Sequence, residues 1–181
     1  MQDEALLEGH FRLSNGMHSP SYLQCAKVFQ HPEHAELIAK RQSAMVGRTR
    51  VDAVVGPAVG GIIAAYELAR SLCARALFAE RQEDAFTLRR GFAIAEGEKV
   101  IVAEDVISTG GGAKDVIALV RRLGGEVIAV TSVVNRSGGN PFDVPFYYLH
   151  EFTAPTWPPE ECPLCREGQP VEKPGSRAEV G

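Results

Sequence analysis

The sequence predicts an open α/β fold, with a central parallel β-sheet flanked by helices on both faces. Three observations carry the prediction. Short β-branched runs alternate with helical patterns through the middle of the chain. Those runs are apolar at both alternating positions, as strands are when each face of the sheet is covered. The 181 residues, 45% of them apolar, suffice for one sizeable core and not for two full domains.

The elements follow in order. The first thirty residues read as an appended segment. Pro32 stands where a first helical turn opens, and Leu37, Ile38 and Met45 follow at helical spacing. Residues 51–55 form the first core strand, ahead of a helix with Ile62, Tyr66, Ala69 and Cys73 on one face. Ala76-Leu77-Phe78-Ala79 is the next strand. After a polar loop come the strand Val100-Ile101-Val102-Ala103, a helix carrying Ala113, Val116, Ile117, Val120 and Leu123, and a strand over 127–134. Gly124-Gly125 stops that helix. Residues 144–149 read as a last short strand. Six of the eleven prolines lie beyond residue 154, which predicts an irregular tail.

Composition narrows the function classes. A net charge of −4 provides no basic field for a nucleic-acid backbone or an anionic membrane, so any anion must meet a local site. The longest uncharged stretch, residues 53–66, is interrupted by Gly56, Pro57, Gly60 and Gly61 and is too short to span a membrane. The acidic start, Met1-Gln2-Asp3-Glu4, is unlike a leader peptide, and the expected location is the cytoplasm. Four scattered cysteines at 25, 73, 162 and 165 fit a reducing compartment. Cys162-Pro163-Leu164-Cys165 is a lone Cys-x-x-Cys with no downstream histidine, and it reads first as a turn and second as half a metal site completed across a dimer. His10, His18, His31, His34 and His150 show no ligand spacing.

The most informative segment is the apolar strand that ends in Glu104-Asp105-Val106-Ile107 and runs through Ser108-Thr109-Gly110-Gly111-Gly112 into a helix. Ligands of open α/β sheets collect at such strand ends. Hydroxyls, glycine N–H groups and the partial positive charge of a helix N-terminus together make a phosphate cradle. No G-x-x-x-x-G-K-[ST] or G-x-G-x-x-G frame is present, so the Walker-type and dinucleotide readings fail. Two carboxylates beside a phosphate repel it unless a sugar lies between. Glu104 and Asp105 can accept hydrogen bonds from ribose hydroxyls and help hold Mg²⁺.

This segment resembles the phosphoribosyl pyrophosphate (PRPP) motif of type I phosphoribosyltransferases. Val55-Gly56-Pro57-Ala58-Val59-Gly60-Gly61 is similar to that family's pyrophosphate loop, in which successive N–H groups form an anion nest. The N-terminal run from Gly9 to Cys25 resembles the base-covering hood of the orotate phosphoribosyltransferases, and Asn135-Arg136 falls where they carry an arginine that meets the base. The resemblance spans roughly residues 5–150. It implies one domain with a hood (1–31), an α/β core (32–150) containing a mobile loop (81–91), and a proline-rich tail (151–181).

It further implies Mg²⁺-dependent transfer of the phosphoribosyl group from PRPP to orotate in pyrimidine synthesis, in a homodimer. PRPP would be held by Gly56, Pro57, Ala58, Gly60, Arg81 and residues 104–112, namely Glu104, Asp105, Val106, Ile107, Ser108, Thr109, Gly110, Gly111 and Gly112. Orotate would be held by Ser108, Arg136, Tyr22, Leu23 and Lys27, and Mg²⁺ mainly through PRPP and water. The chain departs from the family pattern at three places. Gly60 and Ser14 replace lysines, and the loop carries Arg89 and Arg90 in place of lysines and a histidine. That leaves Glu104, Asp105, Arg89 and Arg90 as the expected catalytic set. A purine-type transferase would share every PRPP element, and a non-catalytic PRPP-sensing regulator would need a partner surface that this acidic chain lacks.

Overall fold

The computed structural model describes residues 5–13, 15–83 and 85–174. Ser14, Asp84, the acidic start and the last seven residues lie outside the described residues. The chain divides into two compact units, one built from residues 31–152 and one from residues 1–30 with 153–181.

The larger unit holds a six-stranded sheet in the order β5-β4-β3-β6-β7-β8. Its strands are β3 (Ala53–Pro57), β4 (Arg75–Gln82), β5 (Ala85–Leu88), β6 (Lys99–Ile107), β7 (Glu126–Asn135) and β8 (Phe146–Glu151). All neighbours pair in parallel except β4 and β5. Alternation within the central strands feeds two cores. Val55, Val100, Val102 and Val130 pack with Ala113, Val116, Ile117 and Val120 of helix α4 (Gly111–Arg122). Val54, Ile101, Ala103 and Ala129 pack with Ala65, Leu68 and Ala69 of α3 (Gly61–Leu72) and Val46 of α2 (Pro32–Val46). Both faces are therefore covered, which is why both strand parities are apolar.

Three local expectations are corrected. The buried stripe of α3 is Gly61, Ala64, Ala65, Leu68 and Ala69, whereas Tyr66 is 60% exposed and Cys73 is exposed. Small residues let the helix axis approach the sheet closely with Leu68 buried among them, while Ile63 and Tyr66 turn outward. In the same way α2 buries Ala35, Ala39, Gln42 and Val46, while Leu37 and Met45 stay exposed. Residues 81–91, expected as a loop, form largely an antiparallel hairpin. Arg81 lies opposite Phe86 and Gln82 opposite Ala85, so the sheet is mixed at this edge. Gly124 does end α4, at φ +91°, with the Gly125 N–H donating to the Val120 carbonyl.

The smaller unit pairs β1 (Leu6–Arg12) antiparallel with β2 (His18–Leu23), followed by a short helix α1 (Ala26–Phe29). The proline-rich tail is not irregular throughout. The main chains of His18 and Trp157 exchange hydrogen bonds at 2.8 and 3.0 Å, and Glu172 bonds with His10 and Arg12, each at 2.8 Å. Between these attachments lie a 3-10 turn (Pro159–Glu161) and the four-residue helix α5 (Pro163–Arg166). Proline cannot donate to a ladder, so the tail holds the hairpin at isolated bridges instead of along a continuous strand.

Candidate active site

Two loops at the carboxyl ends of adjacent parallel strands, β3 and β6, carry most of the candidate site residues. After β3 the chain passes through Pro57, Ala58, Val59 and Gly60 into α3, with a cis peptide between Ala58 and Val59. The Ala58 N–H donates to the Ala79 carbonyl at 2.8 Å, which anchors the loop to β4. Gly56 is required by space, because a β-carbon there would collide with the Gly61 carbonyl.

The second loop leaves β6 at Ile107 and turns at Gly110, φ +79°, which caps α4. A side chain at Gly110 would also press on Phe142 and Pro141, at 3.1 Å. Ser108, Thr109 and Gly111 are exposed. The first N–H groups of α4 have no intrahelical acceptor, so a phosphate fits against them.

The acids connect the two loops. A β-carbon on Gly60 would sit 3.1 Å from both Asp105 carboxylate oxygens, and one on Gly112 would sit 3.3 Å from Glu104 Oε1. Asp105 therefore faces the β3–α3 loop and Glu104 faces the start of α4. Burial pushes the Asp105 carboxyl above its usual range, opposed by hydrogen bonds from the Val106 and Asp105 amides and with Glu104. The Val106 N–H donates to Asp105 Oδ1 at 2.8 Å and fixes its rotamer. The donor atoms that Glu104 and Asp105 offer are all oxygens, a set that fits a hard cation such as Mg²⁺.

The expected arginines take different places. Arg81 donates to Asp115 Oδ2 at 3.2 Å and stacks on Phe86 at 4.6 Å, which holds it beside the first turns of α4. Arg90 forms a two-pronged pair with Glu80, at 3.0 and 2.9 Å, and lies 5.5 Å over Phe78. Phe78 and Glu80 alternate with the α4-facing Leu77 and Ala79, so Arg90 is drawn to the other face of β4. Arg89 is exposed.

Arg136 follows β7, its N–H donating to the Ile107 carbonyl at 2.7 Å and its guanidinium 5.7 Å over Phe152. The sequence assigns no role to the preceding residue, Asn135. It is fully buried, accepts from Ser137 and donates to the Gly139 carbonyl at 3.0 Å, so it shapes the loop that carries Arg136. An Asn at a strand end before Arg-Ser-Gly-Gly is the signal for such a turn. Tyr22 and Leu23 lie in β2, opposite Leu7 and Leu6, and Lys27 is exposed on α1. All three belong to the smaller unit.

Residues 27–158 match the phosphoribosyl transferase domain family. The orotate phosphoribosyltransferase of Caldanaerobacter subterraneus subsp. tengcongensis is 53% identical over 175 residues, covering 96% of this chain and 92% of that one. The orotate phosphoribosyltransferase of Thermotoga maritima is 49% identical over 174 residues, covering 96% and 93%. Among solved structures, the orotate phosphoribosyltransferase of Aeropyrum pernix superposes with a TM-score of 0.67 at 22% identity, over 83% of this chain and 90% of that one. An adenine phosphoribosyltransferase from Thermoanaerobacter pseudethanolicus gives 0.65 at 16%, over 73% and 88%. The fold is thus common to transferases of different bases. The chain belongs to the phosphoribosyltransferases and, within them, to the orotate phosphoribosyltransferase family.

Proposed function

We propose that the chain transfers the 5-phosphoribosyl group of PRPP to orotate, giving orotidine 5′-monophosphate and pyrophosphate. The observation that carries the site assignment is the Asp105 carboxylate, buried against the Gly60 backbone on one side and beside Glu104 and the start of α4 on the other. In this reading the ribose meets these oxygens between two anion-binding loops.

Residues Ser108, Thr109, Gly110, Gly111 and Gly112 hold the 5′-phosphate, with Val106 and Ile107 placing the loop. Glu104 and Asp105 bind the ribose hydroxyls and favour the positive charge that develops at its C1. Gly56, Pro57, Ala58 and Gly60 receive the pyrophosphate. The bond that breaks already has a good leaving group, so the task is positional and electrostatic. Bound Mg²⁺ would supply positive charge for the pyrophosphate oxygens, held by Glu104 and Asp105 through water and by the substrate itself.

Among the arginines, Arg81 is held at the α4 end, whereas Arg90 is committed to Glu80. We therefore assign pyrophosphate neutralisation first to Arg81, then to Arg89. The Arg136 guanidinium suits the orotate carboxylate, with Ser108 on the neighbouring strand end. Two copies of the chain pair through the exposed apolar side chains of Val59, Ile63 and Tyr66, at and next to the start of α3. The expected location is the cytoplasm; among the described residues no helix is long and apolar enough to cross a membrane.

Pyrophosphate release from PRPP and Mg²⁺ tests the reading with orotate, adenine, guanine, hypoxanthine, xanthine and uracil in parallel. Release with orotate alone is expected. Release with a purine base reassigns the substrate, and release with none leaves a PRPP-binding protein without this activity.

A further inference from the structure

The smaller unit contains a cluster that the transfer reaction does not use. His10 on β1, His18 at the start of β2, and Cys162 and Cys165 on either side of the first turn of α5 each turn one ligand atom to a common point, all within 4.8 Å of one another. His10, His18 and Cys162 are buried, and Cys165 is at the surface.

The hairpin and the tail together create the juxtaposition. Arg12 lies opposite His18 in the ladder, and His10, two residues before Arg12, reaches His18 diagonally. The tail bonds to His18 through Trp157 and to His10 through Glu172, so the intervening Cys-x-x-Cys turn is held over both imidazoles.

Hydrogen bonding fixes the chemistry. His10 Nδ1 lies 2.9 Å from the Gln169 carbonyl, which can only accept, so Nδ1 carries the proton. In the neutral ring, Nε2 is then a lone pair. It points at His18 Nδ1 at 2.9 Å, Cys162 Sγ at 3.4 Å and Cys165 Sγ at 3.7 Å, and Cys165 Sγ is 3.3 Å from His18 Nδ1. A histidine that donates one ring N–H to a carbonyl and presents the other nitrogen is the usual outer arrangement of a metal ligand. Tetrahedral zinc, with bonds of about 2.0–2.3 Å, sets its ligand atoms about 3.3–3.8 Å apart, close to these separations.

We propose that His10, His18, Cys162 and Cys165 bind a structural zinc ion that joins the N-terminal hairpin to the C-terminal tail. Two imidazoles and two thiolates are a borderline-soft set suited to zinc, and four protein ligands leave no open position for catalysis. The unit needs such a staple. Its buried apolar residues, among those described, are Ala5, Phe11, Cys25, Phe29 and Cys162, a core too small to offset the entropy of ordering two distant chain segments.

The test uses untagged full-length protein purified without chelator. Elemental analysis is expected to give close to one zinc per chain. The Cys162→Ser, Cys165→Ser double variant should fall below a tenth of that, while Cys73→Ser, altered at an exposed cysteine elsewhere, retains it. Cobalt exchanged into the unaltered protein gives a readout that does not depend on how the variant folds. Thiolate-to-cobalt charge transfer and the strong visible bands of a four-coordinate ion are expected. Protein that holds no stoichiometric metal and takes up no cobalt overturns the site, as does a Cys162–Cys165 disulfide in freshly purified protein. A cobalt spectrum that survives in the double variant overturns it as well.

Discussion

Asp105 is costly to keep ionised where it lies, because burial raises its pKa. A raised carboxyl contributes stability only where it is protonated; that contribution is complete below the unfolded pKa and lost as pH rises through the folded value. At neutral pH the ionised group therefore works against folding. Asp105→Asn removes that cost while keeping the shape, so the variant should unfold at an equal or higher temperature. Its turnover should fall by about 10²-fold, the scale of a lost transition-state electrostatic contact. Thermal unfolding and steady-state kinetics on one preparation check both halves; a parallel loss of stability and turnover would contradict the role. Gly60→Ala probes the same carboxylate from the facing loop. Its new methyl would sit 3.1 Å from the Asp105 oxygens, and turnover should drop with little change in unfolding temperature. Gly56→Ala, which meets backbone, should instead destabilise the fold by about 1–3 kcal/mol, measurable by urea unfolding.

At the scale of elements, the start of the sheet depends on Asp52. Its Oδ2 accepts the Lys99 N–H at 3.0 Å, which ties the entry of β3 to that of β6, and Arg50 lies beside it. The Lys99 amide and Arg50 hold the carboxyl below its usual range. The ionised form is favoured in the folded chain, so the contribution is full above the unfolded pKa of about 3.9 and is lost as pH falls through the lower folded value. Asp52→Asn keeps an acceptor but cannot titrate. Melting temperatures followed from pH 6 downward, to about pH 3, should fall less steeply in this variant than in the unaltered protein. The β4–β5 hairpin offers a second contrast. Arg81→Gln should raise the KM for PRPP about tenfold, the value of one charge-assisted hydrogen bond. Arg90→Gln, which loses a surface pair with Glu80 and a contact over the Phe78 ring, should leave it nearly unchanged.

For the whole molecule, the exposed row of Val59, Ile63 and Tyr66 has a consequence for assembly. Light scattering should give about twice the 19.6 kDa chain mass. Tyr66→Glu places a charge in that apolar row and should shift the protein toward the single-chain mass, with unfolding of the isolated chain little affected.

The sequence by itself determined the core, because burial on both sheet faces leaves a continuous apolar signal in residues 100–103 and 127–130. It also determined the two loops at the strand ends, since close backbone approach and a left-handed cap demand Gly56 and Gly110 whatever surrounds them. Tertiary structure alone decided which side chains meet. Small residues in α3 shifted the buried face away from Tyr66 and Cys73, and Glu80 claimed Arg90, a pairing between strand and turn with no local signature. Most of all, His10 and Cys162 stand 152 positions apart. Spacing rules read neighbours along the chain, and no local periodicity can record a contact made only when the tail returns to the first hairpin.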